Sequence, residues 1–138
     1  MNKKKIFKGL GIGLIIVLMA CGVFYYKVLK PVFKEHKRVR SLTIKNINLA
    51  EVKDGEYSGQ FSYGKENNIK VVVTVEAGEI VTLNVVENGD TDYAKKAAAG
   101  IKKEILKQQK NNVDVVSGAT TTSKAILKAV EIALSKGL

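Results

Sequence analysis

Alternating apolar and polar positions in the middle of the chain predict three short β-strands. They cover residues 55–63, 68–76 and 80–87, each with apolar side chains at every second position, as in a strand with one buried face. The apolar faces consist of Tyr57, Gly59, Phe61 and Tyr63; Ile69, Val71, Val73 and Val75; and Val81, Leu83 and Val85. Residues 76–79 are typical of a hairpin turn in which Gly78 takes a positive φ. We expect an antiparallel sheet whose apolar face needs a cover.

A period of three to four residues in the last third of the chain predicts two amphipathic helices, at residues 91–109 and 122–136, the second closed by Gly137. Their inward positions are Tyr93, Ala97, Ile101 and Ile105 in the first helix, and Ile126, Ala129, Val130, Ala133 and Leu134 in the second. The element order β-β-β-α-α predicts a small α+β domain in which two helices pack on the antiparallel sheet.

The N-terminal part carries an apolar stretch long enough to cross a bilayer. Residues 9–26 contain no charge and have lysines on both sides. Tyr25 and Tyr26 stand where interfacial aromatic residues occur, and Pro31 indicates a helix end. We interpret residues 6–29 as one transmembrane helix that precedes the folded domain.

A lipoprotein signal is the alternative for this stretch. Residues 18–22 resemble the sequence at which bacterial lipoproteins are cut and lipidated on a cysteine, here Cys21, although Met19 is unusual at its position. The apolar run continues through residues 22–26, where a lipoprotein normally becomes polar. We favour the retained helix and keep lipidation of Cys21 as the second interpretation. Both tether the domain to a membrane.

The positive charge of the chain is concentrated at its N-terminal end. The 138 residues include 23 Lys and Arg against 13 Asp and Glu, a formal net charge of +10. Residues 1–40 hold ten basic residues and one acid, whereas residues 41–138 sum to +1, which argues against nucleic acid as a partner. The length suits one small domain with an appendage. We divide the chain into a membrane anchor at 1–30, a connector at 31–53 and a domain at 54–138.

The scarcity of cysteine and histidine limits the chemistry of the chain. One Cys and one His allow neither an internal disulfide nor a thiolate or imidazole metal cluster within one chain. A Ser-His-Asp triad is disfavoured because His36 lies in the charged stretch beside the apolar segment, far from every polar cluster. Reaction chemistry therefore has to come mostly from a bound group.

The loop between the two predicted helices holds the candidate site. It turns at Gly118 and enters the last helix through four consecutive hydroxyl residues, 120–123. One interpretation is an ordinary helix start, capped by Thr121 or Thr122. The other is a phosphate site, because Gly118 and Ala119 leave the backbone accessible, a helix N-terminus favours anions and Lys124 can add charge. The residues alone favour the ordinary helix start, because hydroxyl-rich helix starts are common.

The motif at residues 114–120, Asp-Val-Val-Ser-Gly-Ala-Thr, with its continuation to residue 126, resembles the flavinylation signature of the FMN-binding domain family. That family includes the C subunit of the sodium-translocating NADH:quinone oxidoreductase and the G subunit of the Rnf electron-transport complex. The resemblance also covers the strand start at residues 54–59, the Gly78 hairpin and the last helix, and so spans residues 54–138.

The resemblance implies that FMN is joined through its phosphate to the hydroxyl of Thr120. A separate Mg-dependent flavin transferase that uses FAD would form this bond. Asp114 would serve in transferase recognition or loop shape, and Ser117, Gly118 and Ala119 would shape the site. Thr121 and Thr122 are the alternative attachment points. The candidates for contact with the flavin ring are Tyr57, Phe61, Tyr63 and Tyr93, with core packing as their alternative role.

The resemblance further implies a membrane-anchored flavoprotein that relays electrons between a membrane donor or reductase subunits and an acceptor. It is expected to be a carrier rather than an enzyme with its own substrate. Basic flanks on both sides of the apolar stretch do not settle its orientation, whereas the family implies a domain outside the cytoplasm. The alternatives are a domain that binds FMN reversibly, a structural or interaction module, and a lipoprotein sensor or adhesin.

Overall fold

The computed structural model describes residues 3–65, 67–87 and 91–138. Their contacts divide the chain into two compact units, Met1–Glu35 and His36–Leu138.

The first unit is helical. Helix α1 spans Lys3–Phe24, a π-helical turn follows at Tyr25–Leu29, and helix α2 begins at Lys30 and ends at Arg40. The apolar side chains of α1 are exposed, and among the described residues the stretch Ile6–Arg40 is the one helix long and apolar enough to cross a membrane. The predicted apolar helix is therefore present.

The predicted helix end at Pro31 is wrong, because α2 continues through it. A proline in an α-helix lacks the N–H donor, and its ring collides with the carbonyl four residues earlier, here that of Lys27. That carbonyl lies inside the π-helical turn, where the N–H of Lys30 bonds to the carbonyl of Tyr25 five residues before it. This wider turn accommodates the proline and lets the helix continue.

The second unit contains the predicted antiparallel sheet. Its strands are β1 at Gly55–Tyr63, β2 at Asn67–Glu76 and β3 at Glu79–Glu87, in the order β1-β2-β3. In the turn between β2 and β3, Ala77 and Gly78 have φ values of 51° and 77°. The positive φ predicted for Gly78 is thus present, and Ala77 shares it. The Asp54 side chain accepts a hydrogen bond from the N–H of Ala77 at 2.8 Å.

Alternation predicted the inward face of β2 correctly, and that of β3 correctly at Leu83 and Val85 but not at Val81. The β2 side chains of Ile69, Val71, Val73 and Val75 are buried. In β3 the buried residues are Ile80 and Leu83, whereas Val81, predicted to face inward, is exposed. Thr82 pairs with Thr74 and Ile80 with Val75, so the pairing shifts by one residue at Val81. A β-bulge adds one residue to its strand. The inward and outward positions before the bulge are therefore out of step with those after it.

Helices α3 at Asp92–Gln108 and α4 at Thr120–Ser135 cover the apolar face of the sheet. Helix α4 packs on β1 and β2, and α3 packs on β3. All five inward residues predicted for the last helix are buried. Tyr93 is 71% exposed, contrary to its predicted inward position, and the buried stripe of α3 begins at Ala94. Residues four positions apart differ by about 40° around the axis of a helix. Counted back in fours from Ile105, Tyr93 has therefore turned away from the buried stripe.

The end of α2 and the segment that joins it to the sheet also contribute to the core. Their buried side chains are Val39, Ile44, Leu49 and Val52, the last two around a 3₁₀ turn at Leu49–Glu51. The compact unit His36–Leu138 therefore begins within the stretch that we predicted as a connector. The α+β class and the β-β-β-α-α order predicted from the sequence are confirmed.

Candidate functional site

The loop from α3 to α4 is fixed at its start by Asn111. This side chain is fully buried. Its amide nitrogen donates to the carbonyl of Lys45 at 2.6 Å, and its amide oxygen accepts from the N–H of Ile47 at 2.7 Å. Residues 45–47 lie outside the sheet, and their backbone groups need hydrogen-bond partners. The side-chain amide of Asn111 can both donate and accept, so it pairs with one backbone acceptor and one backbone donor of this segment. Asn111 therefore joins the loop to the segment that follows α2.

The Ser-Gly-Ala part of the motif forms a β-turn. The N–H of Ala119 donates to the carbonyl of Val116 at 3.0 Å, and Gly118 lies at the third position with φ 80°. A positive φ at that position is the requirement of a type II turn and favours glycine. Ser117 and Gly118 are exposed, and a Cβ built on Gly118 meets no atom within 4 Å. The turn therefore presents accessible backbone.

Helix α4 begins directly behind this turn, two residues earlier than predicted. Its first residue is Thr120 and its N-cap is Ala119, so the predicted capping by Thr121 or Thr122 is wrong. No side chain caps this helix within the described part of the chain, because alanine offers no acceptor where the turn meets the helix. In the first turn of α4, the N–H of Ser123 donates to the carbonyl of Ala119 at 2.9 Å. The N–H groups of the first turn remain available to an anion.

The four hydroxyl residues differ in their surroundings. Thr120 and Thr122 are half-buried. Thr121 is 7% exposed, and its hydroxyl accepts a hydrogen bond from Nε of Arg40 at 2.9 Å. Ser123 is fully buried and accepts from the N–H of Val116 at 3.1 Å, which holds the turn against the helix. Thr121 and Ser123 thus have structural contacts, and Thr120 lies nearest the accessible turn.

Lys124 is the cation that we expected beside a bound phosphate. Its ammonium donates to the carbonyl of Leu42 at 3.1 Å in a partly buried contact. The end of α2 therefore contacts α4 through Arg40 and Thr121, and the segment after α2 contacts it through Leu42 and Lys124. Asp114 is exposed in the extended part of the loop.

The predicted aromatic contacts lie in different environments. Tyr63 is buried, with its ring 6.1 Å from that of His36 in an edge-to-face arrangement. Tyr57 is half-buried and its hydroxyl donates to the carbonyl of Lys53 at 2.8 Å. Phe61 is also half-buried, and Tyr93 is exposed on the first turn of α3. A role for any of them in contact with a flavin ring stays a prediction.

Gly100 and Arg40 are parts of the site that the sequence did not reveal. A Cβ on Gly100 would stand 2.6 Å from a methyl carbon of Val116, so this glycine lets α3 approach the turn. A glycine inside an amphipathic helix lowers the stability of the helix, so its presence in the sequence can indicate a place where another element packs closely. Arg40 offered no such signal, because 81 residues separate it from Thr121.

The sequence profile of the FMN-binding domain matches residues 64–135, just over half of the chain. The chain belongs to the FMN-binding domain family. The family predicted from the motif at residues 114–126 is thereby confirmed. Family membership makes this unit an FMN-binding flavoprotein domain.

Among the proteins similar to this FMN-binding domain are two curated relatives and a solved structure. An uncharacterized protein of Treponema pallidum (strain Nichols) is 42% identical over 83 residues, which cover 59% of this chain and 23% of that protein. The NADH:acrylate oxidoreductase of Vibrio harveyi is 33% identical over 103 residues, 72% of this chain and 10% of that protein. The chain thus spans less than a quarter of either relative.

The solved structure is the crystal structure of the CPE2226 protein from Clostridium perfringens. It superimposes with a TM-score of 0.52 at 24% identity, over 62% of this chain and 88% of that chain. This similarity supports the fold of the FMN-binding domain.

The residues around Gly118 fit the phosphate end of FMN. The turn is exposed and has open space beside Gly118, and the helix behind it begins without a side-chain cap. A phosphate needs close backbone approach and free N–H donors, and both occur at this position. Thr120 would then offer a hydroxyl beside that phosphate.

Proposed function

We propose that this chain is a membrane-anchored electron-transfer flavoprotein in which FMN is esterified through its phosphate to the hydroxyl of Thr120. Membership of the FMN-binding domain family supports the cofactor. The observation that carries the attachment point is the position of Thr120, the first residue of an uncapped helix directly behind an exposed glycine turn.

Thr120 is preferred over Thr121 on the basis of contacts. The Thr121 hydroxyl is buried and accepts a hydrogen bond from Arg40. A flavin phosphate bonded to that oxygen would have to displace the guanidinium and enter the packed side of α4. Thr120 is half-buried and needs no such displacement.

The attachment needs an external enzyme. A threonine hydroxyl is a poor nucleophile until a base removes its proton, and the ring of His36 packs against Tyr63. In the proposed reaction the Thr120 oxygen bonds to the phosphorus on the FMN side of FAD. The pyrophosphate bond breaks, AMP leaves, and the hydroxyl proton passes to a base of a Mg-dependent flavin transferase. Asp114 is exposed, which supports our proposal that its carboxylate contacts that transferase.

The proposed role of the bound FMN is to accept and pass on electrons. The chain supplies the attachment point, the turn that receives the phosphate and a helix long enough to hold the domain at a membrane. The Vibrio harveyi relative, named as an NADH:acrylate oxidoreductase, supports a place in a redox chain. We propose reductase subunits or a membrane donor as partners, and a domain outside the cytoplasm.

The test is co-expression of the full-length chain with a flavin transferase, followed by denaturing electrophoresis and in-gel flavin fluorescence. The wild-type band is expected to fluoresce and Thr120→Val to be dark. Thr121→Val and Thr122→Val are the matched controls and are expected to keep the signal. Mass spectrometry of the peptide at residues 114–124 is expected to show added FMN.

Two outcomes would contradict this proposal. A colourless wild-type chain whose peptide has its unmodified mass would leave the alternatives of reversible FMN binding or a structural module. Fluorescence that survives Thr120→Val and disappears in Thr121→Val or Thr122→Val would move the attachment point along the helix.

A further inference from the structure

We infer that Arg40, the last residue of α2, is a phosphate-binding residue of the flavin site. This inference rests on the proposed attachment of FMN to Thr120 and adds a residue from outside the matched region 64–135.

The first observation is the position of the Arg40 guanidinium. Its Nε atom donates to the hydroxyl of Thr121 at 2.9 Å. Thr121 directly follows the proposed attachment residue, and neighbouring Cα atoms are about 3.8 Å apart. The guanidinium therefore lies at the first turn of α4.

The second observation is the course of the chain after Arg40. The carbonyl of Leu42 accepts a hydrogen bond from the ammonium of Lys124. Residues 120 and 124 are four positions apart and share one face of α4, with their Cβ atoms tilted towards its N-terminus. Contacts to Thr121 and Lys124 place Arg40 and Leu42 beside the N-terminal end of α4, next to Thr120.

The chemistry of the group fits the ligand. A guanidinium has five N–H donors, so the bond from Nε leaves the two terminal amino groups as donors, and the Arg40 side chain is exposed. A phosphodiester on Thr120 carries one negative charge, which a planar guanidinium can bind through two parallel hydrogen bonds. The ammonium of Lys124 already donates to the main chain at Leu42, and it lacks the planar pair of donors that a guanidinium offers to a phosphate.

The experiment compares full-length chains in detergent during flavin transfer from FAD. The variants are Arg40→Gln, which removes the charge, Arg40→Lys, which keeps it, and Lys37→Gln, a matched change of an exposed cation on the same helix. We expect Arg40→Gln to lower the initial rate of transfer about tenfold, as for loss of one charge-assisted hydrogen bond. Arg40→Lys should recover part of the rate, and Lys37→Gln should match the wild type.

A second readout separates phosphate contact from support of the helix. The ³¹P resonance of the loaded phosphodiester should move in Arg40→Gln and Arg40→Lys but stay in place in Lys37→Gln. Thr121→Val removes the hydrogen bond from Nε and keeps the cation, so it should retain most of the transfer rate. Should Thr121→Val reproduce the whole rate loss while the ³¹P resonance of Arg40→Gln is unmoved, Arg40 only supports the helix and the inference is wrong.

The remaining outcomes separate this inference from the proposed function. A wild-type chain that takes up no flavin overturns both. A loaded wild type with an Arg40→Gln rate and resonance equal to those of Lys37→Gln overturns only the role of Arg40. If thermal unfolding shows that Arg40→Gln is not folded, Arg40→Lys decides, and an unmoved ³¹P resonance in that variant overturns the inference.

Discussion

Gly59 in β1 lies directly against the main chain of Ala129 in α4. A Cβ built on Gly59 would overlap the carbonyl oxygen of Ala129 and stand 2.6 Å from the nitrogen of Ala133. This close approach seats the helix that begins at Thr120 on the sheet. The position of the candidate site therefore depends on a glycine far from the motif.

Gly59→Ala is expected to destabilise the domain strongly. The added methyl group meets backbone atoms on a packed helix, which cannot rotate away as a side chain would. We expect the free energy of unfolding to fall by about 3 kcal/mol, the upper end of the usual cost of overpacking. Denaturant unfolding of the full-length chain measures it. Ser58→Ala, at the neighbouring exposed position, is the control, and equal stability of the two variants would contradict the observed packing.

Asn111 and Asn112 form a matched pair for a second prediction. Asn111 is fully buried and serves Lys45 and Ile47, whereas Asn112 is exposed. Asn111→Ala leaves one backbone donor and one backbone acceptor without their partner, and we expect a loss of about 2 kcal/mol of stability. Asn112→Ala should change stability by a few tenths of a kcal/mol.

Native-state hydrogen exchange locates the effect of Asn111→Ala. The amide of Ile47 should lose protection relative to the wild type, because Asn111 accepts its hydrogen bond. Protection at Ile47 that equals that of the Asn112→Ala control would show that the side chain does not hold this segment.

The periodicity of the sequence predicted the fold because each element buries one regular face. Three strands and two helices follow from spacings of two and of three to four residues. The errors have separate local causes. The bulge at Val81 reverses the alternation, and Tyr93 lies off the buried stripe of its helix. The helix end predicted at Pro31 is wrong because a π-helical turn accommodates the proline.

The candidate site was predictable only where its residues are consecutive. Residues 117–120 form a turn followed by the start of a helix, and the glycine and the run of hydroxyl residues in the sequence indicate both. Hydrogen bonds from Arg40 to Thr121 and from Lys124 to Leu42 join positions 81 and 82 residues apart. A single sequence contains no signal for such pairs. The helix start itself was misplaced because Ala119 stands at the N-cap, where a hydroxyl residue is the usual choice.

The turn at Gly118 supports a third prediction. A Cβ there meets no atom within 4 Å, so any cost of substitution arises from the backbone at φ 80°. We expect Gly118→Ala to lose about 1 to 2 kcal/mol of stability and Gly118→Asn to lose less, because asparagine tolerates positive φ better than alanine. Urea unfolding of the three chains gives the order. Alanine as stable as glycine would show that the turn does not hold a positive φ in solution.

Cys21 decides between the two interpretations of the apolar helix. It is exposed on α1, within a stretch of uncharged residues that is long enough to span a bilayer. Cys21→Ser removes the lipid attachment point and leaves the apolar surface almost unchanged. We expect the wild-type and Cys21→Ser chains alike to remain in the membrane fraction after alkaline carbonate extraction, both with the mass of the uncleaved protein. A wild-type chain that starts at a lipidated Cys21, together with a Cys21→Ser precursor that is not processed, would instead establish the lipoprotein.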